Sequence, residues 1–179
     1  MSKIGNSPIP LDQTKVTVEG QKVLVNGPKG SQTIEIPKVL SASVVENKLI
    51  VKRNAETKTV KALHGLFRSL IANAVHGVVK GWEKKLEVVG TGFGVSVKGG
   101  EAVFKVGFSH QVVFPKIEGL TYVADSITML TISGVDKQLV GEAAHRVRSI
   151  RPPDAYKGKG IRYLGEVVKL KPGKKVKTA

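Results

Sequence analysis

Residues 48–81 read KLIVKRNAETKTVKALHGLFRSLIANAVHGVVKG, and the change of rhythm inside them decides the fold. Lys48–Val51 is a short apolar, β-branched run, which predicts a strand. From Val60 the period changes: Val60, Leu63, Phe67, Leu70, Ile71, Ala74, Val75 and Val78 recur at steps of three and four. That spacing lays one apolar stripe along a helix of about six turns. Asn54 is the expected N-cap and Gly81 the expected stop. Toward the N-terminus, Val16–Val18, Lys22–Val25, Gln32–Ile36 and Ala42–Val45 predict further short strands. Asn26-Gly27-Pro28-Lys29-Gly30 and Glu46-Asn47 lie between them as turns.

The same order returns in the second half. Leu86–Val89, Gly92–Val97, Ala102–Phe108, Val112–Phe114, Leu120–Ala124 and Ile127–Ile132 predict strands, with Lys98-Gly99-Gly100-Glu101 as a hairpin turn. From about Asp136 a helix carries Leu139, Val140, Ala143, Ala144, Val147 and Ile150 on one face, and Pro152-Pro153 stops it. A shift of 80 positions pairs Ile50 with Leu130, Val60 with Val140, Arg68 with Arg148 and Leu70 with Ile150. The chain is therefore expected to be α+β: two similar domains, each an antiparallel sheet packed on one helix, with a basic C-terminal extension. The expected domains are 1–82 and 83–179, the extension spanning about 152–179. Trp82 lies at the join, and the few residues around it are too short a stretch for a flexible linker.

Composition excludes several function classes. The 179 residues contain no cysteine, which removes disulfide frameworks, thiolate zinc sites and cysteine nucleophiles. No apolar run reaches the roughly 18–20 residues that span a bilayer, and Met1–Pro10 has no signal pattern, so a cytoplasmic protein is expected. The four histidines, His64, His76, His110 and His145, lack metal-ligand spacing. They read as ordinary surface or half-buried side chains. The cluster Gly90-Thr91-Gly92-Phe93-Gly94 lacks the third glycine of a dinucleotide loop, because Val95 stands where it would fall. It reads as a strand kinked by glycines. Lys157-Gly158-Lys159-Gly160 lacks the spacing and the hydroxyl residue of a nucleotide-triphosphate loop. No paired carboxylates or nucleophile–base arrangement is evident, so neither catalytic residues nor a cofactor nor a metal is expected.

Charge points the other way. The net charge is +15, but residues 83–145 carry about −1 and residues 146–179 carry +9, from eleven cations against two anions. Such self-repulsion is explained by a polyanionic partner. Arg146, Arg148 and Arg151 fall at the end of the second helix; Tyr156, Lys157, Lys159, Arg162 and Tyr163 follow, then Lys169, Lys171, Lys174, Lys175 and Lys177. Arginine grips phosphate bidentately, lysine supplies a point charge and tyrosine can stack on a base. The glycines between the lysines would let backbone approach a phosphate. With no DNA-reading helix motif or zinc finger and no aromatic RNA-recognition sheet, folded RNA is the expected target. A nucleic-acid enzyme and a protein-interaction scaffold are the competing readings. Removing residues 157–179 is expected to abolish RNA binding and to leave both domains folded.

The run Arg151-Pro152-Pro153-Asp154-Ala155-Tyr156-Lys157-Gly158-Lys159-Gly160-Ile161-Arg162-Tyr163, with Gly165-Glu166 and Lys171-Pro172-Gly173-Lys174-Lys175, resembles the C-terminal signature of bacterial large-subunit ribosomal protein six, the "L-six" family. Ser2-Lys3-Ile4-Gly5 with Pro8-Ile9-Pro10, and the Asn26–Gly30 turn, are similar to that family too, so the likeness covers essentially the whole chain. The resemblance implies two similar α+β domains and a structural, non-enzymatic protein bound to large-subunit ribosomal RNA. It implies a place by the sarcin–ricin region at the base of the stalk, among neighbouring ribosomal proteins and near docking translational GTPases. Neither a membrane nor DNA is an implied partner. RNA contact is carried onto Arg151, Tyr156, Lys157, Lys159, Arg162, Lys169, Lys171, Lys174 and Lys175.

Overall fold

The computed structural model describes residues 3–173, the side chain of Lys3 excepted. The chain divides into two compact units, Met1–Trp82 with Val135–Lys137, and Glu83–Gly134 with Gln138–Ala179.

Unit 1 opens with a single-turn helix α1 (Lys3–Asn6) and a two-residue strand β1 (Ile9–Pro10). Strands β2 (Lys15–Glu19), β3 (Lys22–Gly27) and β4 (Gly30–Glu35) make one antiparallel sheet. A second sheet has the order β1-β6-β5, where β5 is Leu40–Val45 and β6 is Lys48–Arg53. The strands of the unit are thus shared between two sheets. Alternation along β3 and β6 turns Val23, Val25, Leu49 and Val51 inward. They share one core with Val60, Ile71, Ala74 and Val78 of helix α2 (Lys58–Val79).

Helix α2 runs where the period predicts it, but its start differs. Thr57 is the N-cap, accepting the Val60 N–H on its hydroxyl. Asn54 turns backward instead: its N–H donates to the Val39 carbonyl at 3.0 Å and its side-chain amide to the Lys38 carbonyl at 3.2 Å. Gly81 takes φ +79° immediately past the C-cap, as a stop requires. Within the helix, His64 is fully buried, with its Nε2 2.8 Å from the Val51 carbonyl, whereas Leu66 and Leu70 are exposed. The Asn26–Gly30 turn docks on the helix end, where the Lys29 N–H donates to the Val78 carbonyl at 2.9 Å. Gly27 is obligatory there, since a Cβ on it would lie 2.7 Å from that same carbonyl oxygen.

Unit 2 repeats the plan with an extra strand. β8 (Gly94–Lys98), β9 (Glu101–Lys105) and β10 (Val112–Phe114) form an antiparallel sheet. β7 (Trp82–Val89, its first residue in unit 1), β11 (Leu120–Ser126), β12 (Met129–Gly134) and β13 (Gly160–Tyr163) form another, ordered β11-β12-β7-β13. Helix α3 (Lys137–Ile150) buries Val140, Ala143, Ala144 and Val147. Two expected strands are shorter than read. The Gly92–Val97 strand begins at Gly94 because Gly90–Phe93 closes a turn, with the Phe93 N–H on the Gly90 carbonyl. The Ala102–Phe108 strand runs from Glu101 only to Lys105.

Candidate nucleic-acid interface

The basic C-terminal stretch is woven into unit 2 before it leaves it. β13 pairs antiparallel with β7, Arg162 directly across from Glu87, and Ile161 is wholly buried. The Arg162 guanidinium grips the Glu87 carboxylate at 3.0 Å, so its charge is matched inside the sheet. Beyond the strand, Glu166 clasps the chain to α3. Its carboxylate accepts Nε–H and Nη2–H from one edge of the Arg148 guanidinium, at 3.1 and 2.5 Å, and the Tyr163 N–H at 3.0 Å. The Arg148 hydrogen bonds, then the Tyr163 N–H, hold the Glu166 carboxyl below its ordinary pKa, and Glu166 in turn raises that of Arg148. Residues 160–166 therefore belong to the domain. Removal of 157–179, expected from the sequence to leave both domains folded, would delete an edge strand and its buried isoleucine, so that cut is now expected to destabilise unit 2.

Between α3 and β13 lies a closed loop. The Asp154 N–H donates to the Lys159 carbonyl at 2.9 Å, and the Gly158 N–H returns to the Asp154 carbonyl at 3.0 Å. The Asp154 carboxylate accepts the Lys157 N–H at 2.8 Å and the Tyr156 N–H at 3.3 Å, and these backbone donors lower its pKa. The glycines serve the loop itself. Gly158 and Gly160 are both buried. Gly160 has φ +148°, and a Cβ there would lie 2.6 Å from the Pro152 carbonyl oxygen. The chain after β13 returns to this loop: the Lys171 N–H donates to the Ala155 carbonyl at 2.7 Å. Tyr156, Lys157 and Lys171 are so collected on one exposed surface.

Two further loops meet it. Lys159 donates through Nζ to the Thr91 hydroxyl at 3.0 Å, tying the loop to the Gly90–Phe93 turn. Phe93 touches Gly90 and Gly107 so closely that neither position has room for a Cβ. This fixes the turn that follows β9, which presents Phe108 and His110 to solvent. The Arg151 guanidinium lies 5.3 Å from the Phe108 ring centre. The sequence reading missed Thr91, Phe93, Phe108 and His110; Gly107 was the available signal that the strand had ended before Phe108.

Apart from Lys159, which Thr91 engages, the described cations of this stretch sort into two sets. Arg146, Arg148 and Arg162 are ion-paired to Glu142, Glu166 and Glu87. Arg151, Lys157, Lys169 and Lys171 are exposed and make no ion pair among the described residues. Tyr156 is 59 % exposed. Lys174 and Lys175 lie outside the described residues. Among the described residues no group of three or more His, Asp or Glu could hold a metal, and no helix is long and apolar enough to cross a membrane.

These features define a class: a duplicated α+β protein whose second unit displays unpaired cations on ordered loops. The chain belongs to the ribosomal protein L6 family, whose model matches residues 10–81 and 89–164. It is 47 % identical to large ribosomal subunit protein uL6 of Prochlorococcus marinus over 97 % of this chain and 98 % of that one. It is 48 % identical to the protein of the same name from Maridesulfovibrio salexigens, with the same coverage. To that of Nostoc it is 46 % identical over 97 % and 96 %. It is a structural constituent of the large ribosomal subunit and not an enzyme; its partners are the subunit's RNA and proteins, and its place is on the ribosome in the cytoplasm.

Proposed function

We propose that this protein binds large-subunit ribosomal RNA near the sarcin–ricin region and the base of the stalk, among the proteins there, and so supports the docking site of translational GTPases. Residues 83–179 carry the contact and residues 1–82 support it. The observation that carries this reading is the exposed set Arg151, Lys157 and Lys171, without an ion pair among the described residues and grouped around a loop that is closed by its own hydrogen bonds, with exposed Lys169 two residues before Lys171 in the chain. Folded RNA supplies phosphates at the density such a set can neutralise. Tyr156 adds a ring to the same surface, and Lys174 and Lys175 extend the charge along the chain. Lys159 and Arg162 act by holding the loop and strand in place, since Thr91 and Glu87 already engage them.

Binding of the full chain to extracted large-subunit ribosomal RNA, measured by filter retention across salt, tests the reading. Neutralising six to ten phosphates makes affinity fall by about 10³–10⁵ between 50 and 200 mM salt. A flat dependence refutes it. Hydroxyl-radical footprints of the same complex test the location: protection is expected in the sarcin–ricin and stalk-base segments, and protection confined elsewhere refutes that placement. Stopping the chain after Glu166 is expected to weaken binding while unit 2 keeps its unfolding transition.

A further inference from the structure

The turn after β9 carries an exposed aromatic that the fold does not need. Phe108 is 40 % exposed, and residues 107–111 are exposed throughout. The turn is nevertheless fixed in place. Gly107 takes φ +80°, and its Cα packs against Phe93 so tightly that a Cβ would lie 2.9 Å from the ring edge. His110 sits beside Phe108 with ring centres 6.1 Å apart and planes only 20° from parallel. Arg151 reaches the Phe108 ring from the end of α3, at 5.3 Å.

We infer that Phe108, with His110 and Arg151, is a stacking platform for an unpaired nucleobase of the bound RNA. This rests on the RNA-binding reading above and adds a contact of different chemistry to it. A phosphate needs the guanidinium but gains nothing from a phenyl ring. A base uses both, laying its face on the aromatic while the cation takes the adjoining phosphate or stacks in turn. Residues 106–116 contain no Asp or Glu, and Arg151 makes no ion pair among the described residues, so the surface favours a polyanion over an acid-neutral protein partner. Bases within a duplex are already stacked on both faces, so the occupant is a looped-out or single-stranded nucleotide.

The test uses the full chain, extracted large-subunit ribosomal RNA and filter retention from low to high salt. Phe108→Leu keeps the apolar volume and the charge but removes the flat ring. It is expected to lower affinity about 5- to 100-fold with the slope of log affinity against log salt unchanged. Phe108→Tyr is expected to bind as the parent does. Arg151→Ala is expected to reduce that slope by about one, a signature that loss of stacking does not give. His110→Ala, in an exposed position, is expected to lose affinity in the same direction at constant slope, and it decides the matter should Phe108→Leu unfold. If the parent binds steeply with salt and both ring variants bind like it, the platform is refuted while the RNA-binding reading stands. If the parent shows no salt-steep binding, both fall.

Discussion

Arg68 in α2 and Arg148 in α3 occupy corresponding places 80 positions apart, and they solve the same problem with different chemistry. Each ties a terminal segment to the helix beside the strand that segment adds to a sheet edge. Arg68 donates to neutral acceptors, the Ser7 carbonyl at 3.1 Å and the Ser7 hydroxyl at 3.3 Å, just before β1. Arg148 donates to the Glu166 carboxylate, just after β13. A neutral tie is insensitive to acid. A charged one is stronger, roughly twofold per bond, and it titrates. The two units thus share a mechanical role, and only the Arg148 tie is ionic and pH-dependent.

The largest expected effect tests whether both edge strands are equally integral. Ile161→Ala and Ile9→Ala each empty a buried site at a sheet edge and are expected to cost about 2–5 kcal/mol in thermal or urea unfolding. A loss below about 1 kcal/mol for Ile161→Ala would return β13 to the status of an appendage. Next, Gly160→Ala is expected to cost about 1–3 kcal/mol through its φ of +148° and its clash with Pro152; Gly30 of unit 1 shares that φ but a Cβ there would meet only a side-chain carbon at 3.4 Å, so Gly30→Ala is expected to cost less. Third come the ties themselves: Glu166→Gln is expected to cost about 1–2 kcal/mol and Arg68→Ala about 1 kcal/mol.

The pH dependence separates those two ties. The folded-state pKa of Glu166 is held below its unfolded value, so its contribution is fully present at neutral pH. It is lost as pH falls below the ordinary carboxylate range, about 4. The stability gap between the parent and Glu166→Gln is expected to close on acidification, while the gap to Arg68→Ala stays level. Equal closure in both would break the comparison. The smallest effect concerns the helix start: Thr57→Ala is expected to cost about 1 kcal/mol, and Asn54→Ala about half of that because it loses only the bond to Lys38.

How much could be read in advance follows from what each element depends on. Helix α2 and the strands β2 to β6 are legible because burial alone sets their periodicity, and Val23, Val25, Leu49 and Val51 alternate as any half-buried strand does. Thr57 and Asn54 could not be told apart, since both residue types cap and only the path of the β4–β5 connection assigns Asn54 elsewhere. β13 is hidden in the sequence because its four residues, Gly-Ile-Arg-Tyr, sit inside a cationic run and are too few to show an alternation of their own. The partition of the arginines is hidden too. Glu87 and Arg162 are 75 residues apart, and only strand register makes them neighbours. Lysines without a cross-strand or helical acid nearby were legible as a surface from composition.

The loop closed by Asp154 has one more consequence. Its carboxylate and backbone bonds set the dihedrals from residue 154 to 159 before any partner arrives. Encounter thus requires no disorder-to-order step at that spot, and the entropy a floppy tail would forfeit on docking is already spent in folding. In the binding mode proposed above, association through this loop would be a rigid-body event, governed by collision and orientation rather than by a search among conformers.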